Sequence, residues 1–243
     1  MKRDQYIGCS GYYYPAWKKK FYPEGLQPKG WLEYYSSVFN TVELNGTFYR
    51  TPKPADLKKY YAATPPDFRF SVKMSKQITH ILKLKETQAL IQEFQDLIRD
   101  GLQEKCMHFL FQLPPSFHYT DENLSLVLEA IPHLPENVIE FRHISWWNEV
   151  VQQKLSDAGI TFCNVDFPRM ETFFIHTTSS FYLRLHGNPV LFKSAYEFEE
   201  LNKFYDAIPE NSSNSCIYFN NTYYEAGYTN AKQVQEIAKE ETL

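Results

Sequence analysis

Short apolar runs alternate along the chain with stretches in which apolar residues return every third or fourth position. The runs Tyr6–Cys9, Thr41–Asn45, Phe68–Lys73, Met107–Gln112, Val138–Arg142, Thr161–Asp166, Tyr182–His186 and Ile217–Asn220 have strand length and carry many β-branched and aromatic residues. Helical spacing governs the segments between them. Trp31, Tyr34, Tyr35 and Val38 share one face, as do Leu90, Ile91, Phe94, Leu97 and Ile98. Leu124, Val127, Leu128 and Ile131 repeat the pattern, followed by Val150, Val151 and Leu155 ahead of a stop at Gly159. Ser194-Ala195-Tyr196-Glu197 reads as a capping box opening a helix toward Ala207, and Ala231, Val234, Ile237 and Ala238 mark the last helix.

Strands that alternate with helices must pair in parallel, because each crossover returns the chain to the same end of the sheet. At 243 residues the pattern fits one closed barrel. The expected fold is therefore α/β, a single (β/α)8 TIM-type barrel of eight parallel strands over residues 1–243. An open doubly wound sheet would carry a G-x-G-x-x-G turn after its first strand, and Gly8-Cys9-Ser10-Gly11 does not supply one. No internal repeat, low-complexity stretch or linker divides the chain.

Within the strands the polar residues fall on one parity. Glu43 and Asn45 alternate with Val42 and Leu44, and Ser71 and Lys73 with Phe70 and Val72. Glu140 and Arg142 flank Phe141, Asn164 and Asp166 flank Val165, and Arg184 and His186 flank Leu185, while Gln112 and Asn220 close their own strands. If the apolar parity packs on helices, the polar parity points into the barrel, late in each strand, where barrel enzymes build their sites. Buried unpaired charges cost several kcal/mol. Glu43, Lys73, Glu140, Arg142, Asp166 and Arg184 therefore read as a ligand or catalytic site, the bland alternative being a self-neutralising network of three carboxylates and three cations.

The net charge of −4 speaks against non-specific nucleic-acid binding but hides an asymmetry. Residues 1–105 hold 17 Lys and Arg against 11 Asp and Glu, whereas the remainder hold 8 against 18. Runs such as Lys18-Lys19-Lys20 are ordinarily solvated surface, with an anionic partner as the sharper alternative. Cys9, Cys106, Cys163 and Cys216 are widely spaced and lie in or beside strands, as buried thiols of a reducing compartment do. With no signal-peptide pattern and no apolar stretch of membrane-spanning length, a cytoplasmic location without membrane partners is expected.

Several strand-end phrases are distinctive together. Phe111-Gln112-Leu113-Pro114-Pro115-Ser116-Phe117, Glu140-Phe141-Arg142-His143-Ile144-Ser145-Trp146 and Tyr182-Leu183-Arg184-Leu185-His186-Gly187 closely resemble the YecE-like family, domain of unknown function 72. The resemblance extends to Gly8-Cys9-Ser10-Gly11 with Trp17 and Phe21-Tyr22-Pro23, and to Val42-Glu43-Leu44-Asn45 with Thr47-Phe48-Tyr49. Thr79-His80, Phe219-Asn220-Asn221 and Asn230-Ala231 complete it. It implies a TIM-type barrel and no settled activity. Tyr12 stands where the family commonly has Trp, and Tyr60-Tyr61 where a Trp often precedes the Thr-Pro turn, aromatic exchanges that bear on ligand size more than on chemistry.

Glu43, Glu140, Asp166 and His186 form an oxygen-rich set of the kind that holds magnesium or manganese, but three cations compete for the same carboxylates, so no metal is expected. A zinc cluster like that of some endonuclease barrels needs more histidines than His80, His143 and His186 bring to the strand ends. Ser10, Cys9 and Ser145 lack a nucleophile context. Lys73 serves either as an anion clamp or, if desolvated, as a Schiff-base lysine, with the clamp favoured.

The candidate catalytic set is thus Glu43, Lys73, Glu140, Asp166 and His186, and the candidate binding set is Asn45, His80, Gln112, Arg142, Arg184, Asn220, Tyr13 and Trp17. The aromatic first loop that holds Tyr13 and Trp17 reads either as a stacking lid or as a packed cover. The expected ligand is an anionic small molecule such as a sugar phosphate or nucleotide fragment, held between the third, fifth and seventh strands by Lys73, Arg142 and Arg184, with no cofactor assigned. A nucleic-acid-processing role and a non-catalytic metabolite sensor are the alternatives.

Overall fold

The computed structural model describes residues 4–170 and 172–241. Strands β1 (Asp4–Cys9), β2 (Thr41–Leu44), β3 (Arg69–Lys73), β4 (Cys106–Gln112), β5 (Asn137–Glu140), β6 (Thr161–Asp166), β7 (Ser180–Leu185) and β8 (Asn214–Phe219) pair in parallel, in chain order, and close into a barrel. Helices α1 (Trp31–Val38), α2 (Pro54–Ala62), α3 (Gln88–Leu102), α4 (Asp121–Ala130), α5 (Glu149–Asp157), α6 (Phe198–Asp206) and α7 (Ala226–Glu240) accompany them. The (β/α)8 expectation holds in strand number, direction and closure. Among the described residues no helix is long and apolar enough to cross a membrane.

Three details depart from the sequence pattern. Helix α2 escapes periodicity because Leu57 is its one buried residue, so no apolar stripe marks it. Helix α6 begins after Glu197, which makes a reciprocal capping box with Glu200, rather than at Ser194. The Ser194 hydroxyl instead accepts a hydrogen bond from the Val190 amide. The connection from β6 to β7 holds no helix among the described residues, and this changes the meaning of β6. An irregular segment covers the outer face there, and its backbone needs polar partners. Asn164 supplies them, donating to the Ile175 carbonyl and accepting from the Ile175 amide.

The two sides of the sheet bury different material. Val42, Val72, Phe109, Phe111, Ile139, Phe141, Leu183 and Ile217 face the helices in one large core. Leu110, Val138, Cys163, Val165, Tyr182, Cys216 and Tyr218 form a smaller cluster inside the barrel. Below the mouth, Tyr218 shares hydrogen bonds with Thr41 (2.7 Å) and Ser71 (2.8 Å), a buried polar floor. The seam between β1 and β2 is completed by a side chain, because the Tyr35 hydroxyl accepts from the Cys9 amide and donates to the Thr41 carbonyl. A Cβ at Gly8 would stand 2.2 Å from that carbonyl oxygen, so only glycine fits beside the seam. The four cysteines are free thiols.

Candidate functional site

Strands β2, β3, β5 and β7 deliver their polar residues to one place. Arg184, on β7, is 1% exposed and bridges two carboxylates, one Nη lying 2.7 Å from Glu43 on β2 and the other 2.5 Å from Glu140 on β5. The second Glu43 oxygen accepts from the Tyr182 hydroxyl at 2.8 Å. The second Glu140 oxygen takes the Nε of Arg142, with the His186 Nε2 3.6 Å away. His186 is itself held through Nδ1, 2.8 Å from the Asn220 side-chain amide. Both carboxylates are therefore occupied on both oxygens by the protein's own groups.

Lys73 stands apart from this network. Its ammonium donates to the Gln112 carbonyl oxygen at 2.6 Å and lies 4.3 Å from the centre of the Phe48 ring. Among the described residues no carboxylate pairs with it. Burial, and next the nearby Arg184 charge, push its amine down to about 8, against a weaker upward pull from Glu140 and Glu43. Burial also acts on the Glu140 carboxyl, in the upward direction, but Arg142 and Arg184 outweigh it and hold the group well below the usual carboxylate range. His186 is pushed down to about 3 by burial and by Arg142, and His80 to about 4 by burial and by Lys73, so both imidazoles are neutral near pH 7.

These groups border a cavity of about 520 Å³. Lys73, His80, Gln112, Arg142, Arg184, Asn45 and Asn220 line it, together with Tyr14, Phe48, Tyr49, Phe192, Thr222 and Tyr223. Phe48 and Tyr49 lay within a recognisable phrase of the sequence, whereas Phe192, Thr222 and Tyr223 come from loops after β7 and β8 that carry no periodicity to read. Glu43, Glu140 and His186 sit immediately behind the lining, each 0% exposed.

Two expected site residues are placed elsewhere. Asp166 follows the reversed parity of β6 and faces outward, because Val165 fills the barrel interior instead. Its carboxylate accepts from Tyr196, Thr172 and Asn188 and thereby fastens the loop after β7, so it belongs to the support of the mouth and not to its charge. Trp17 is fully buried, donates its indole N–H to the Tyr224 carbonyl, and packs against Tyr14, Phe21 and Tyr228, which makes the first loop a packed cover at this position. Tyr13 is 58% exposed and lines a second cavity, of about 430 Å³, beside the first. With Asp166 removed, two carboxylates face three cations. The equal count inferred from the strands does not hold, and among the described residues the mouth carries one positive charge in excess.

Among the described residues no three His, Cys, Asp or Glu side chains converge as metal ligands. His143 stacks on His118 at 3.9 Å, away from the cavity lining.

Comparison with known proteins gives a consistent result. The chain is 28% identical over 156 residues to the UPF0759 protein YecE of Escherichia coli (strain K12), covering 64% of this chain and 54% of that protein. It is 28% identical over 151 residues to the UPF0759 protein YunF of Bacillus subtilis (strain 168), covering 59% and 52% respectively. The chain thus aligns with about half the length of these curated relatives. A DUF72 family protein from Thermotoga maritima has the same fold, with a TM-score of 0.87 and 31% identity over 98% of this chain and 100% of that one. A second, from Enterococcus faecalis, superposes with a TM-score of 0.81 over 97% of this chain and 95% of that one, and at 19% identity it supports the fold alone. With residues 6–243 matching the family model described as protein of unknown function DUF72, the chain belongs to the DUF72 family.

Proposed function

We propose that the barrel mouth binds an anionic small molecule, such as a phosphate ester, and acts on it by electrostatic and acid–base catalysis. The observation that carries this reading is the position of Lys73, a cation on the cavity wall with an amide oxygen and a ring face for neighbours and, among the described residues, no carboxylate of its own. An ammonium so placed is one counter-charge short, and an anion in the cavity supplies it. Arg142, whose side chain is 10% exposed, lines the same space; its Nε is held by Glu140 and one Nη lies 3.4 Å from the His186 Nε2, which leaves its remaining N–H donors for an anion.

The division of labour follows from which groups can change charge. Glu140 is locked as a carboxylate by two guanidiniums, and His186 and His80 stay neutral. Lys73, whose amine is pushed down to about 8, is the group suited to give up and take back a proton. Arg142 and Arg184 then stabilise negative charge that develops on the ligand, in a site where their own positions are already fixed. A nucleic-acid role draws less support, because Lys19 and Lys20 of the basic run pair with Glu24 and Glu225 on the surface.

Calorimetric titration with inorganic phosphate tests the binding half. The wild-type protein should bind it, and Lys73→Met should weaken it at least tenfold while remaining folded by circular dichroism. Unchanged phosphate affinity in Lys73→Met would remove the basis of the proposal. The catalytic half is tested by following a mixture of phosphorylated metabolites by mass spectrometry with wild type and Lys73→Met. A compound that binds and leaves chemically unchanged would make the protein a sensor instead.

A further inference from the structure

The cavity at the mouth is not isolated. The second cavity opens beside it and shares two lining residues, Tyr14 and Asn45. Its other walls are of a different kind: Tyr12, Tyr13, Tyr60, Leu44 and Pro52, with Arg50 and Asp56 also on the lining. The tyrosines are set edge to face, Tyr12 against Tyr60 at 6.3 Å and against Tyr13 at 6.5 Å. Tyr13 is fixed on its inner side by Trp31 at 4.9 Å yet leaves 58% of its surface open. Three aromatic rings held by their neighbours and lining one cavity form a preorganised surface for a flat ring.

Asn45 connects the two spaces, and its side-chain oxygen is buried without a hydrogen-bond partner. A buried acceptor left unpaired is unfavourable by itself, and a donor brought by a ligand would relieve it. On the other side of Asn45 lie Lys73, Arg142 and Gln112. The sequence of features along the combined cavity is thus cation, unsatisfied acceptor, aromatic wall.

We infer that the two cavities form one bipartite site for a nucleoside monophosphate, with the phosphate on Lys73 and Arg142, a ribose hydroxyl or base N–H on Asn45, and the base against Tyr13 and Tyr60. This rests on the anion reading of the mouth and narrows it, since a sugar phosphate without a base would leave the tyrosine wall unused.

The test is a calorimetric series with the four common ribonucleoside 5′-monophosphates, ribose 5-phosphate and inorganic phosphate. The proteins are wild type, Tyr13→Ala, Tyr60→Leu and Lys73→Met. Tyr13 is exposed enough to be replaced without unfolding the protein, and leucine at position 60 keeps the apolar contact with Phe70. At least one nucleotide should bind ten times or more tighter than ribose 5-phosphate, which is the order expected from stacking one base. Tyr13→Ala or Tyr60→Leu should erase that advantage and leave ribose 5-phosphate affinity as it was, while Lys73→Met weakens every phosphorylated probe. If all four nucleotides bind no better than ribose 5-phosphate, or if neither tyrosine variant alters their advantage, the bipartite site is wrong while the anion site stands. If none of the probes binds, inorganic phosphate included, both readings fall together.

Discussion

Replacing Glu140 with glutamine separates stability from binding in a way that only a functional charge cluster permits. The amide is nearly the shape of the carboxylate but carries no charge, and its NH2 must face a guanidinium that also donates. Arg184 keeps Glu43 as a partner at 2.7 Å, whereas Arg142 loses its carboxylate altogether. Removing one side of a buried ion pair is destabilising by about 3–5 kcal/mol. For a chain of this size each kcal/mol lowers the melting temperature by about 2–4 °C, so a fall of about 6–20 °C is expected.

The same substitution raises the excess positive charge of the mouth from one to two. An added unit charge near a bound anion is worth about 1–2 kcal/mol after screening, a factor of about 5–30 in phosphate affinity. Phosphate at 100 times its dissociation constant should then return about 2.7 kcal/mol to the variant. Differential scanning fluorimetry across a phosphate series reads both quantities at once. A second variant, Glu140→Gln with Arg142→Met, removes the orphaned cation and should recover much of the lost stability, a coupling that a double-mutant cycle measures. If Glu140→Gln melts as the wild type does, or binds phosphate more weakly while still folded, excess charge does not govern this site and the reasoning fails.

The other expectations concern Lys73, Asp166 and metal. The folded Lys73 amine titrates near 8, against about 10.4 in an unfolded chain, so between those limits the unfolded state holds more protons and stability rises with pH. Lys73→Met should therefore stabilise the protein by roughly 1–3 kcal/mol at pH 7 and flatten the dependence above pH 8, as thermal melts at several pH values would show. Wild-type phosphate affinity should decline as pH rises through about 8, and a pH-independent affinity across that range would mean that Lys73 is not the contact. Asp166→Asn, which places a donor among three donors, should be destabilising by about 1–3 kcal/mol and leave phosphate affinity within twofold, an assignment refuted if binding is lost in the folded variant. Purified protein should contain less than one transition-metal ion per chain by elemental analysis, because the oxygens of Glu43 and Glu140 are engaged by guanidinium, imidazole and phenol partners.

The strands were legible because a barrel strand is short, apolar on its outer parity and closed by a turn, and β2, β3, β5, β7 and β8 obey that rule. Parity along the strands assigns Glu43, Lys73, Glu140, Arg142, Arg184 and His186 to one end of the barrel interior, where the structure has them. It failed on β6 for a definite reason. The rule assumes that a helix covers the outer face, and there an irregular segment does so, which makes the polar residues Asn164 and Asp166 the outward ones. The loop residues of the cavity, Phe192 and Tyr223 among them, were illegible because a loop side chain is aimed by its own backbone and by no repeating pattern. The aromatic first loop held both answers at once: Tyr13 lines a cavity and Trp17 is core, and spacing does not distinguish them.

Arg184 has a consequence for how the molecule acquires its site. It joins Glu43, 141 residues earlier in the chain, to Glu140, 44 residues earlier. Contacts of such separation form only after long loops have closed, and they are the slow, late events of folding. A half-barrel ending after β4 holds Glu43 with neither Arg184 nor Glu140, and its counterpart holds Arg184 with half its counter-charge. The mouth therefore reports on completion of the ring: a chain that has paired most of its strands but not the last ones holds Glu43 and Glu140 without the guanidinium that joins them, and the completed charge cluster comes into being only with the finished barrel.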